Sequence, residues 1–283
     1  VAIILRVCIP GNDAFITSFL QDERVKQGHV QVLFIERSKR PGDRWSGHIA
    51  FPGGKKEVGE TDRDAAERET REEVGLDLTS SSFAYLGELD QQHVTASFGN
   101  QLLMIVCAFV YLQVVGETPP LTLSVDEVER VHWVPLEYLL TSVRRNVVQQ
   151  PIAPRILPHL SNRWMHKIVH WMVGSTYWEG IPLPDSASHL WGLTLVITDD
   201  VLRLCTDDHT VRRRLHWPDF DKWEFALWIR LLRWMFIRAH STHADRMFVI
   251  KYGALLAVMT RVAVLWFTGR QLYTWTKRLV VIH

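Results

Sequence analysis

The chain has 283 residues, enough for one large domain or a catalytic domain with an appendage. Hydrophobic residues make up 47% and charged residues 22%, which excludes a disordered, collagenous or low-complexity chain. Thirty-two Lys and Arg against 31 Asp and Glu leave a formal net charge of +1, so no global electrostatic signal points to nucleic acid.

Residues 1–9, VAIILRVCI, are too short to span a bilayer, lack the basic leader of a signal peptide and read as a first strand. The first 27 residues are expected to form a lead-in. HVQVLFIER, from His29 to Arg37, alternates and then runs apolar, as a half-buried strand does. The turn-rich RPGDRWSG follows, then HIAF as a short strand entering Pro52, Gly53 and Gly54. From about Thr61 to Val74 the chain reads as a helix, with Thr61 as its N-cap, Asp62 and Asp64 at the positive end, and Gly75 where it stops.

FAYLGEL and LLMIVCAFVYLQVV read as strands, with Cys107 inside the second as a small core residue, and Pro119-Pro120 breaks the chain after them. VERVHWVPL is a strand that turns at Pro135 into a short helix, LEYLLTSV. Such alternation predicts an α/β domain with a mixed sheet between helices. Residues 150–185 are rich in Pro, Trp and His and show no clear period. HLWGLTLVITDDVLRL is a strand or turn running into a helix, and the composition shifts near residue 210. Cys8, Cys107 and Cys205 form no CxxC pair, which argues against a disulfide framework or a zinc site. A reducing, intracellular setting is expected, mitochondrial or cytoplasmic, and the ending VVIH lacks the simple peroxisomal Ser-Lys-Leu address.

Chemistry concentrates in residues 51–78. Glu69, Glu72 and Glu73 stand at i, i+3 and i+4, on one helical face. Their mutual repulsion is unfavourable in isolation, and a divalent cation reverses its sign; hard oxygen ligands suit Mg²⁺ or Mn²⁺. Arg68 offers a fork of donors to orient a neighbouring carboxylate, and Gly53 and Gly54 let the backbone approach a metal or phosphate. Read alone, a Glu-rich helix is a solvated face. The whole pattern is more specific. Gly54, five residues, Glu60, seven residues and then Arg68-Glu69-Thr70-Arg71-Glu72-Glu73-Val74-Gly75-Leu76 resembles the Nudix box, with Thr70 standing where the family prefers a larger aliphatic residue.

The resemblance implies the Nudix fold, an α-β-α sandwich with a mixed β-sheet, and a helical C-terminal extension follows it. The expected division is a lead-in over 1–27, a Nudix domain over 28–210 with its box at 54–76, and a helical, aromatic-rich segment over 211–283. It also implies hydrolysis of a nucleoside diphosphate linked to another moiety. Glu69, Glu72, Glu73 and the Gly53 carbonyl would hold Mg²⁺ or Mn²⁺, one glutamate would double as the base for water, and Arg68 would hold Glu69. Glu60 would be structural support. Asp126, Glu127 and Glu129 are candidates for a further acidic group from outside the box, or ordinary surface acids.

Upstream, LFIERSKRPGDRWSGHIAFPGG is similar to the segment that marks coenzyme A pyrophosphatases: Arg37-Ser38, Gly47 and Phe51-Pro52-Gly53-Gly54 match, while the spacing from Ser38 to Gly47 is one residue longer. Asp43 falls where the family's Arg would stand. HLWGLT resembles a segment near the end of such domains, or is a Trp packed beside a tight glycine. The resemblance implies a small-molecule substrate, coenzyme A or an acyl derivative, with Arg37, Arg40 and Arg44 beside Gly54 to bind its phosphates. The same three arginines also read as a solvated loop. His48 and His93 are candidate substrate contacts or structural histidines. Other nucleoside diphosphate derivatives (dinucleoside polyphosphates, nucleotide sugars, oxidised nucleotides) are the alternative substrates, and a silent nucleotide- or protein-binding module is the alternative class.

Residues 247–267 have the length to cross a bilayer, against which Lys251 and Arg261 count. The preceding segment, with Trp217, Trp223, Trp228 and Trp234 among arginines, suits a membrane interface. Membrane association through 217–267 is one expectation; a buried helical hairpin packed on the catalytic domain is the other.

Overall fold

Alternating side chains in the first strands build two cores, one on each face of a single mixed sheet. A computed structural model describes residues 1–8, 23–40, 45–95, 102–152, 162–184, 186–206, 219–236 and 243–280. In chain order the elements are β1 (Ala2–Cys8), α1 (Glu23–Gln27), β2 (His29–Arg37), β3 (Ile49–Ala50), α2 (Asp62–Val74), β4 (Phe83–Glu88), β5 (Gln92–Thr95) and β6 (Leu102–Val106). Then follow β7 (Phe109–Gln113), β8 (Val128–Pro135), α3 (Leu136–Thr141), β9 (Arg145–Pro151), α4 (Arg163–Val173), β10 (Ser175–Pro182) and β11 (His189–Trp191). The last are α5 (Gly192–Cys205), β12 (Asp219–Phe220), α6 (Trp223–Phe236) and α7 (His243–Val280).

The main sheet is ordered β3-β2-β1-β7-β4, with β8 also on β2. β1 runs parallel to β7 and antiparallel to β2, which makes the sheet mixed. β8 pairs β2 along Gln31–Arg37, so β1 and β3 share its other edge in succession: β1 takes His29–Val32 and β3 takes Ile35 and Glu36. That handover brings the segment after β3 beside the start of β1, where the Ala2 amide donates to the Pro52 carbonyl at 2.8 Å.

Period-two alternation then sorts the side chains. Ile3, Leu5, Val32 and Phe34 face a core completed by Leu136 and Leu139 of α3 and by Leu195, Ile197, Val201 and Leu202 of α5. Ala2, Ile4, Leu33 and Ile35 face the other core, against Ala66 and Val74 of α2. The result is the expected α-β-α sandwich with a mixed sheet, and helices α6 and α7 follow it in the chain.

The chain forms two compact units: Val1–Val94, Met104–Val148 and Glu179–His216 make the first, and Thr95–Leu103, Gln149–Trp178 and Trp217–His283 the second. Within the second, Phe225, Ile229, Leu232, Val249, Ala254 and Ala257 form a core of their own. Gly253 lets α7 close on α6, since a β-carbon there would lie 2.6 Å from Ile229 Cδ1.

Two stretches differ in detail from the sequence reading. The apolar run 102–115 is two strands, with Cys107 only partly buried at the break between them. The aperiodic stretch 150–185 contains α4 and β10. Among the described residues no helix is long and apolar enough to cross a membrane. Arg261, within 247–267, is held by protein: Nη1 donates to the carbonyls of Trp171 (2.7 Å) and Met172 (2.9 Å), and Nη2 pairs with Glu224.

Candidate active site

The site begins with the ends of α2. Thr61 caps the helix: its hydroxyl accepts from the Asp64 amide at 3.1 Å, and the Asp64 carboxylate accepts from the Thr61 amide at 3.0 Å. Asp62 and Asp64 lie at the positive end and Arg71 in the last turn, as the helix dipole favours. Gly75 ends the helix at φ 79°, donating to the Arg71 carbonyl at 3.0 Å. The carbonyls of Glu73 and Val74 are taken by the amides of Ser124 and Thr122, both at 3.0 Å. Thr70 is fully buried, and its hydroxyl bonds back to the Ala66 carbonyl at 2.7 Å. That bond satisfies the one polar group the box pattern did not anticipate.

Pinned at both ends, α2 presents its carboxylates to the glycine loop. Glu69 lies against Gly54 so closely that a β-carbon on Gly54 would be 2.3–2.5 Å from the carboxyl group. Glu73 is 3% exposed and accepts from the Gly53 amide at 2.9 Å. Gly53 has φ 141°, and a β-carbon there would meet the Val1 Cα at 2.6 Å. Both glycines are therefore needed where the sequence puts them.

Arg68 ties the acids together. Its Nη1 donates to Glu69 and to Glu72, each at 3.0 Å, while Nε and Nη2 grip Glu60 at 3.2 and 3.0 Å. Nη2 also reaches the Lys55 carbonyl at 3.2 Å. These bonds hold the guanidinium charged, with Glu60 the largest influence, and in return Arg68 depresses the Glu60 carboxyl. Glu73 goes the other way: burial raises it to about 7, the Gly53 amide opposes the rise, Glu69 adds to it and Arg37 opposes it. Among the described residues no three acidic, His or Cys side chains are gathered closely enough to hold an ion as they stand, since Glu69 and Glu72 are turned onto Arg68.

Arg37 ends β2 on the parity of Leu33 and Ile35, hence on the α2 side of the sheet, where it and Glu127 act on Glu73 with opposite sign. Arg40 bends away from the loop: Nε donates to the Asp126 carbonyl, and Nη2 lies 3.8 Å from Glu127. Glu129 pairs with Lys39 at 3.9 Å. Arg44 lies outside the described residues. His48 stacks edge-on against Trp191 with ring centroids 5.0 Å apart, and His93 is exposed on β5. HLWGLT fastens α5 to the loop strand, because the Thr194 hydroxyl donates to the Ile49 carbonyl at 3.0 Å.

Sequence reasoning missed a polar cluster on the opposite face. The Glu36 carboxylate, 6% exposed, takes the Ser188 hydroxyl at 2.8 Å and lies 3.3 Å from His132 Nε2. Glu36 shares the parity of Val32 and Phe34, which was the available signal, but its partner Ser188 is 152 residues away.

Residues 18–160, half of the chain, match the model of the NUDIX domain family. The chain therefore belongs to the NUDIX family. An uncharacterized protein of Schizosaccharomyces pombe is 35% identical over 162 residues, which cover 56% of this chain and 48% of that protein. The chain thus spans about half the length of this curated relative. Among solved structures, a C. elegans Ap4A hydrolase binary complex is similar at 18% identity and TM-score 0.34, covering 49% of this chain and 80% of its own. A MutT/nudix family protein from Enterococcus faecalis is similar at 16% identity and TM-score 0.33, covering 72% and 61%. Likenesses this low carry no inference about substrate.

Proposed function

We propose that the chain is a metal-dependent pyrophosphohydrolase that cleaves the diphosphate of coenzyme A or an acyl-coenzyme A, giving 3′,5′-ADP and phosphopantetheine or its acyl form. The observation that carries this reading is the Glu69 carboxylate seated on the bare Cα of Gly54, with Arg68 fastening it to Glu60 and Glu72. Three carboxylates facing a glycine loop repel a diphosphate unless a cation intervenes. Glu69, Glu72, Glu73 and the Gly53 carbonyl would hold Mg²⁺ or Mn²⁺, which when bound supplies neutralisation of the phosphoryl oxygens and a more acidic water.

The residues fit such an ion in kind. All are hard oxygen donors, and Glu73 is buried beside the Gly53 amide. Glu72, with a side chain 54% exposed, has room to turn from Arg68. The chain's own part is positional. Glu60 steadies Arg68, Arg68 orients Glu69, and Glu69 or Glu72 accepts the proton of a water attacking one phosphorus as the bridging P–O bond breaks.

Support for coenzyme A comes from the basic residues upstream of Phe51-Pro52-Gly53-Gly54 and from HLWGLT, which braces the same loop. Arg37, with Arg40 or Arg44, would bind the 3′-phosphate or the diphosphate; Arg40's bonds to the 126–127 loop leave Arg37 the larger share. A panel of coenzyme A, NADH, ADP-ribose and diadenosine polyphosphates, assayed with Mg²⁺ or Mn²⁺ and with EDTA, tests the proposal. Coenzyme A should give the highest kcat/KM, abolished by EDTA. A higher value for another diphosphate would move the substrate to that class.

A further inference from the structure

Helices α4, α6 and α7 present an unusual outward surface at one end of the second unit. Glu224 meets Arg261, Trp228 Nε1 donates to Thr260 at 2.9 Å, and Ile229 abuts Gly253, so α6 and α7 run antiparallel. Arg261 thus lies level with the start of α6, and its bonds to the Trp171 and Met172 carbonyls place the last turn of α4 there too. Beyond Arg261, α7 continues to Val280. Val262, Val264, Leu265, Trp266 and Phe267 are exposed by 52–63%, so this part of the helix is apolar on every side and covered on none.

The neighbouring helices add to the surface at the same end. Trp223, where α6 starts, is 73% exposed, and Trp171, where α4 ends, is 55% exposed. Trp164 and Lys167 share the Trp171 face of α4. Arg270 stands over the Trp266 ring at 5.2 Å.

Cations outnumber acids in this segment, although Asp219 and Asp221 stand exposed just before Trp223. α4 contains no acid, the sole acid of α6 is the buried Glu224, and the sole acid of α7 is Asp245 near its start. From Trp217 onward there are ten Lys and Arg against four Asp and Glu, in a chain that is almost neutral as a whole. A helix segment apolar all round is at home among acyl chains, and the tryptophans and cations beside it suit the headgroup layer. We infer that this end of the second unit, led by Trp266 and Phe267, docks on anionic lipid membrane. The inference is independent of the substrate proposal.

Cosedimentation of the full chain with phosphatidylcholine vesicles, with and without phosphatidylserine, tests it. Binding should require phosphatidylserine and fall as salt rises. A double substitution Trp266→Asp and Phe267→Asp should weaken binding at least about tenfold, and Lys167→Glu with Arg270→Glu should do the same, by the worth of a basic side chain at an anionic surface. Because these positions lie outside the core, the unfolding midpoint of either variant should match the parent's. Absent binding, equal binding to both vesicle types, or undiminished binding by both variants would overturn the inference. A dimer that the Trp266 and Phe267 substitutions dissolve, in a chain that ignores vesicles, would assign the surface to a second copy and overturn it as well.

Discussion

The carboxylate of Glu69 lies where a side chain on Gly54 would begin, with its atoms 2.3–2.5 Å from the position of that β-carbon. Gly54→Ala should therefore displace Glu69 from the loop while leaving the buried cores alone. Since misplacement by about 1 Å can cost about a hundredfold, kcat should fall by roughly that factor. The unfolding midpoint should move little. An active Gly54→Ala enzyme would mean that Glu69 acts from elsewhere.

Arg68 is the second test of that geometry, because it reaches Glu60, Glu69 and Glu72 at once. Lysine keeps the charge but has no fork. Arg68→Lys should lower kcat on the order of tenfold to a hundredfold with little change in KM. Were Arg68 a substrate contact instead, KM would carry the loss.

Glu73 supplies a pH dependence. Burial raises its folded-state value to about 7, above the ordinary carboxylate value of 4.5. The sign follows from linkage: the protonated form is favoured in the folded chain, so this group's stabilisation is complete below 4.5 and is lost as pH rises through about 7. Metal-free protein should lose up to about 3 kcal/mol between those limits from this residue. Glu73→Gln should flatten that part of the curve, and Mg²⁺ or Mn²⁺ should raise the wild-type midpoint most above pH 7. Denaturant melts in EDTA across the range measure both.

Much of this site was legible in the chain. Thr61, Asp64 and Gly75 set the limits of α2 because capping and left-handed termination depend on local residues. The parity of His29–Arg37 likewise sorted Leu33 and Ile35 from Val32 and Phe34. What stayed hidden was set at long range. Cys107 looked like mid-strand core, yet the chain breaks there between β6 and β7. Glu36 meets Ser188, and Arg261 meets Trp171, across separations that no local pattern encodes. Arg40 belonged to a basic cluster in the sequence, and the structure turns it onto Asp126 and Glu127.

Arg37 tests substrate choice through a ratio. If it binds the 3′-phosphate, Arg37→Ala should lose the preference for coenzyme A over 3′-dephospho-coenzyme A, by about tenfold to a hundredfold, and keep its rate on the latter. Equal loss on both would place Arg37 on the diphosphate. Arg40→Ala and Arg44→Ala belong in the same series, and an unchanged ratio with unchanged rates in all three would make the cluster a solvated loop.

Gly75 carries a stability prediction. Alanine there would be strained at φ 79° and would sit 2.8 Å from the Thr122 amide nitrogen. Gly75→Ala should cost about 1–3 kcal/mol and lower the melting temperature by several degrees. An unchanged melting temperature would show that the end of α2 is not held by this turn.

The most direct measurement is kcat for coenzyme A hydrolysis in Mn²⁺, with product masses, for wild type, Glu72→Gln and Glu73→Gln. Wild type should release 3′,5′-ADP and phosphopantetheine. Each variant should lose at least about two orders of magnitude, the worth of a positioned acid–base group, while its unfolding midpoint holds or rises. Full activity in both variants would contradict the carboxylate site.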